Sequence, residues 1–118
     1  LIVEDDDSLR KLARTVLKQR GYKILEAKDG EDALRISNEH EGTIDLMITD
    51  VVMPGMNGRE LAEPLQSLRS EVKVIYMSEY TDNAIVHHGV LAPGLNFLEK
   101  PFSPESMAHK VRRVLDNN

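Results

Sequence analysis

The chain has 118 residues, 41% hydrophobic and 30% charged, which suits one globular domain with a core of ordinary size. It contains no cysteine, so a disulfide framework or a thiolate metal site is excluded. A net charge of −5 and a pI near 5.3 argue against a broad basic face for nucleic acid, and no apolar run approaches the roughly 20 residues of a membrane span.

Leu1–Glu4 reads as a first strand, followed by the acidic cluster Glu4-Asp5-Asp6-Asp7. Leu9, Leu12, Ala13, Val16 and Leu17 then recur at helical spacing, and Gly21 closes that helix. Tyr22–Ala27 reads as a second strand ended by an Asp29-Gly30 turn, and Ala33, Leu34 and Ser37 form the inner stripe of a helix from about Glu31 to His40. The apolar run Ile44–Thr49 is a third strand leading to Asp50, and Pro54, Gly55 and Gly58 mark the loop beyond it. A third helix presents Leu61, Ala62, Leu65 and Leu68, with a kink or a distorted first half expected from Pro64 inside it.

Val72–Met77 is a fourth strand ending at Ser78-Glu79, followed by a short helix around Asp82–Val90 and a Pro93-Gly94 turn. Leu95–Glu99 is the fifth strand, Lys100-Pro101-Phe102 leaves it, and Ser103 caps a last helix with Pro104 at its first position. Met107, Val111, Val114 and Leu115 are the core stripe of that helix; Lys110, Arg112 and Arg113 read as its solvated face. Opening without Met on a short strand, the chain is expected to be an excised piece forming a single domain over residues 1–118.

Five strands, each followed by a helix, define an α/β fold: a three-layer (βα)5 sandwich around a parallel sheet, joined by right-handed crossovers. The flavodoxin-like strand order 2-1-3-4-5 is expected, with its switch point beside the first and third strands. Those are the two strands that end in acids. Glu4, Asp5 and Asp50 would then share one sheet edge as a compact negative pocket that calls for a divalent cation. Asp6 and Asp7 read as helix caps only. The histidines make no metal site, since His87 and His88 are adjacent on a helix and His40 and His109 lie on others.

Four motifs in order carry a family resemblance: Val3-Glu4-Asp5 with Arg10 five positions on, Asp50 with Met53-Pro54 and Gly58, Ser78, and Phe97 with Lys100-Pro101-Phe102. Over essentially its whole length the chain resembles the CheY-like receiver domain of two-component response regulators. The stretches Tyr76–Asp82 and Leu91–Gly94 look most like receivers fused to hybrid sensor histidine kinases.

The resemblance implies that Asp50 is the phosphoacceptor, whose carboxylate attacks phosphorus and forms an acyl phosphate. Asp5 and Asp50, with the backbone carbonyl of Val52, resemble direct ligands of Mg²⁺ (or Mn²⁺), and Glu4 resembles the acid that holds a metal-bound water. Lys100 would pair with phosphoryl oxygens, and Ser78 would donate its hydroxyl to another. Ser78 and Phe97 would form the switch between inactive and active conformations. Charge supports the grouping: three carboxylates are balanced by a divalent cation and Lys100. Without the cation, each like-charge pair at roughly 4 Å would cost about 4 kcal/mol at an effective dielectric near 20.

The implied partners are a histidine kinase or histidine phosphotransfer domain as donor and an output domain or downstream protein as target, with no direct contact to nucleic acid or membrane. A cytoplasmic location follows, including the cytoplasmic part of a membrane-bound sensor kinase. Two departures stand out. Glu79 replaces a small residue beside Ser78 and is expected to slow small anionic donors. Val52 and Tyr80 occupy positions that tune acyl-phosphate lifetime, and their apolar bulk predicts slow self-dephosphorylation. The alternative is a Mg²⁺-dependent phosphohydrolase with an aspartyl nucleophile, but such enzymes place a second acid two residues on, where this chain has Val52. Neither G-x-G-x-x-G nor G-x-x-x-x-G-K-[ST] occurs, which disfavours a nucleotide enzyme.

Overall fold

A computed structural model describes residues 1–79 and 95–116. The elements are β1 (Ile2–Val3), α1 (Asp7–Gln19), β2 (Glu26–Ala27), α2 (Gly30–Glu39), β3 (Leu46–Asp50), α3 (Gly58–Leu68), β4 (Lys73–Ser78), β5 (Phe97–Glu99) and α4 (Pro104–Asp116). The expected helix around Asp82–Val90, the Pro93-Gly94 turn, Tyr80, His87 and His88 lie outside the described residues.

The strands form one parallel sheet in the order β2-β1-β3-β4-β5, as the pattern predicts. β3 and β4 are central and nearly wholly buried, which is why their sequences read as continuous apolar runs. Side chains alternate between two cores. Val3, Met47, Val74 and Tyr76 pack with Leu61, Ala62 and Leu65 of α3 on one face. Ile2, Ile48, Ile75 and Met77 pack with Val16 and Leu17 of α1 and Met107 and Val111 of α4 on the other.

Local capping agrees with the sequence. Asp6 is the N-cap of α1, accepting from the Leu9 N–H at 3.1 Å. Gly21, at φ 91°, ends that helix in the left-handed region. Ser103 accepts from the Ser106 N–H at 3.0 Å just before Pro104 opens α4.

Three expectations need correction. The second strand is Glu26–Ala27 rather than Tyr22–Ala27, with Glu26 opposite Ile2 and Ala27 opposite Val3. Gly30 is the first residue of α2, capped by Asp29, and not part of a free turn. Leu68 is 64% exposed; it is the last residue of α3, where the apolar stripe has outrun the sheet it covers. Pro64 lies inside α3, which continues on both sides of it from Gly58 to Leu68. Asn57 and Glu60 close a reciprocal capping box, and Leu61, Ala62 and Leu65 anchor the helix around the missing hydrogen bond.

Candidate functional site

Strand direction decides where the chemistry lies. All five strands run the same way, so the residues that end them meet at one edge, beside the switch point between β1 and β3. Glu4 follows β1, Asp50 ends β3, Ser78 ends β4 and Lys100 follows β5. Apolar strands drag these polar ends under cover: Glu4 is 1% exposed, Asp50 8% and Ser78 2%.

Lys100 ties two of these strand ends together. Its Nζ lies 2.5 Å from Glu4 Oε1 and 3.1 Å from Asp50 Oδ2. Its own backbone N–H donates to the Ser78 carbonyl at 2.8 Å, so the β4–β5 pairing carries the lysine to the site. Asp5 is exposed beside them, and one carboxylate oxygen from each of Glu4, Asp5 and Asp50 falls within 4.8 Å of the others.

The electrostatics are unbalanced. Burial pushes the Glu4 carboxyl up to about 7; Lys100 opposes the shift, while Asp5 and Asp50 add to it. Burial also raises Asp50, against the pull of Lys100. Burial alone would lower Lys100, but Glu4 and Asp50 outweigh it and hold the ammonium above the ordinary lysine value. One cation for three carboxylates leaves a surplus of negative charge in a half-enclosed space. A divalent cation would relieve that surplus.

The donor set fits Mg²⁺. The ion takes oxygen ligands at about 2.0–2.1 Å, so opposite ligands stand about 4.2 Å apart, and acids within 4.8 Å of each other need only a slight contraction. Glu4 is already engaged by Lys100, which suits contact through a water better than direct ligation. Val52 is 61% exposed and directly follows buried Val51 on the loop leaving Asp50.

The remaining expected residues also find places. Phe97 is half-buried, opposite Tyr76 on β4, and packs against the core on the α3 side. Glu79 is exposed immediately beyond Ser78. Arg10 belongs to the first motif, yet its use was not legible there. Its guanidinium donates to the Glu4 main-chain carbonyl at 2.8 Å, pairs with Asp7 and reaches Glu26 at 3.6 Å, so it holds the acidic turn against α1 and β2. The partner is a backbone atom, which no side-chain pattern announces.

No helix among the described residues is long and apolar enough to cross a membrane. The family model described as response regulator receiver domain matches residues 1–112. The chain is 36% identical over 116 residues to the sensor kinase CckA of Brucella abortus, covering 98% of this chain and 12% of that protein. It is 34% identical over 111 residues to the uncharacterized transcriptional regulatory protein YrkP of Bacillus subtilis, covering 94% and 46%. The chain thus spans less than half the length of these relatives.

Among solved structures, the receiver domain of the hybrid histidine kinase CckA superposes with a TM-score of 0.81 at 38% identity, covering 97% of this chain and 95% of that one. The chemotaxis protein CheY4 of Vibrio cholerae gives 0.83 at 28% identity, covering 96% and 94%. With this fold, this acidic edge and these relatives, the chain belongs to the response regulator receiver domains, the phosphoacceptor modules of two-component phosphorelays.

Proposed function

We propose that Asp50 accepts the phosphoryl group and that residues 1–118 act as one receiver. The observation that carries this is the Lys100 ammonium set between Glu4 and Asp50 at the sheet edge, with Asp5 alongside. A carboxylate oxygen of Asp50 attacks phosphorus, the phosphorus–nitrogen bond of a phosphohistidine breaks, and the imidazole leaves with the bonding pair. Lys100 then releases part of its contact with Asp50 and meets the phosphoryl oxygens as a compact positive charge. Ser78, at the end of β4, donates its hydroxyl to another of those oxygens.

Asp5, Asp50 and the Val52 carbonyl would hold Mg²⁺ (Mn²⁺ is an alternative), with Glu4 acting through a bound water. The cation supplies charge neutralisation for the incoming phosphoryl group. Phe97 lies on the same sheet face as Tyr76, at the edge strand, where it can exchange between solvent and core as Ser78 is drawn toward the phosphoryl group. The donor is a histidine kinase or phosphotransfer domain. The likeness to the CckA receiver supports a place in a hybrid sensor kinase, and an output domain or downstream protein would read the change.

The test is intact-mass measurement after incubation with acetyl phosphate. The wild type should gain a single phosphoryl mass only when Mg²⁺ is present, and Asp50→Asn should gain none. Labelling that persists in Asp50→Asn would refute the assignment.

A further inference from the structure

Thr49 stands one residue before Asp50 and is completely buried. Its neighbours across the sheet are apolar or aromatic: Val3 on β1 and Tyr76 on β4. A buried hydroxyl is costly unless bonded, and valine would fill the same space with no such demand. The packing therefore does not call for the hydroxyl. It is spent on the main chain of the next residue, donating to the Asp50 carbonyl at 3.0 Å, with Met53 Sδ at 3.9 Å.

Gly58 closes on the same carbonyl from the first turn of α3. A Cβ at position 58 would lie 2.4 Å from the Asp50 carbonyl oxygen and 3.2 Å from Val51 Cα, closer to the former than real atoms come. The Gly58 N–H donates to the Val51 carbonyl at 2.9 Å, and the Val51 N–H donates to Met77 on β4 at 2.9 Å. The peptide leaving Asp50 thus has a donor and a wall, and the next peptide is tied as well. A nucleophile at the very end of a strand would otherwise inherit the freedom of the loop after it. Misplacement by about 1 Å is enough to cost about 100-fold in rate.

We infer that Thr49 is a positioning residue for the phosphoacceptor. Its hydroxyl, with Gly58 as the opposing wall, fixes the Asp50 carbonyl and so directs the Asp50 carboxylate toward Lys100. This rests on the reading of Asp50 as the acceptor.

Thr49→Val keeps the shape and removes the donor. At saturating Mg²⁺ and acetyl phosphate its labelling rate should fall about three- to tenfold, the kinetic weight of one neutral hydrogen bond. Its thermal midpoint should fall by only a few degrees, leaving it folded at assay temperature, and Thr49→Ser should recover most of the rate. A wild-type rate in Thr49→Val would overturn the inference, as would a loss in Thr49→Ser equal to that in Thr49→Val. Gly58→Ala should also be slower, and a wild-type rate there would remove the wall from the account. Asp50→Asn separates the two levels: if it still labels, the acceptor assignment fails; if it is silent while Thr49→Val is normal, only this inference does.

Discussion

Two partly buried cations, Arg69 and Lys100, show how differently this fold uses internal charge. Arg69 follows α3 and donates to the Ser37 hydroxyl at 2.9 Å, and to the carbonyls of Ser37, His40 and Gly42 at 2.8, 2.7 and 2.8 Å. All four acceptors are neutral, and they include the orphan carbonyls at the end of α2. The guanidinium is matched to backbone and asks for nothing more. Lys100 faces two carboxylates with a third nearby, and burial raises both of the carboxyls it touches, Glu4 and Asp50. The first cation completes a structure; the second, on the function proposed above, stands ready for another positive charge and a phosphoryl group.

That contrast can be broken by exchanging the cations for an apolar residue of similar length. Lys100→Met should lower the rate of acetyl phosphate labelling by about 100-fold or more, the usual scale for removing a charge-stabilising donor. A rate near wild type would return Lys100 to the role of a structural tie. Arg69→Met should do the reverse, lowering stability by about 2–3 kcal/mol in urea unfolding while the labelling rate at saturating Mg²⁺ stays at the wild-type value. Loss of labelling in the folded variant would show that the α2–α3 tie reaches the site.

pH sharpens the comparison. Folding raises the Glu4 pKa from its ordinary value of 4.5 to about 7 in the metal-free protein, so folding favours the protonated form. The resulting stabilisation is fully present below about 4.5 and is lost as the pH rises through about 7. Asp50 shifts in the same direction. Urea midpoints of the metal-free wild type, relative to Glu4→Gln, should therefore decline across that window, and saturating Mg²⁺ should flatten the decline. An unchanged difference across the window would contradict the burial argument.

The smallest expected effect is at Glu79, exposed beyond Ser78. Glu79→Gly should speed labelling by acetyl phosphate a few-fold, since it removes one exposed like charge from the donor's approach. An unchanged rate would reject a gating role.

The sheet order and the site were legible for one physical reason. Buried parallel strands are long apolar runs, and the acids that end them are conspicuous. Asp50 and Glu4 could be read in this way; Lys100 was reached through the motif that joins it to Phe97 and Phe102. What escaped the sequence depends on neighbours at a distance. The register of β2 against β1 depends on which residues stand opposite it. The exposure of Leu68 is set by where the sheet stops under α3. The uses of Arg10, Thr49 and Arg69 depend on main-chain carbonyls, which carry no signature in a residue pattern.

The central claim is that acids from the tips of β1 and β3 hold one cation between them. Calorimetric titration of Mg²⁺ at constant ionic strength tests it directly, comparing the wild type with Asp5→Asn and with Asp32→Asn, an acid at the start of α2 paired with Arg35. The account predicts one site, weakened about tenfold or more by Asp5→Asn and unchanged by Asp32→Asn. Equal affinity in all three proteins would contradict it.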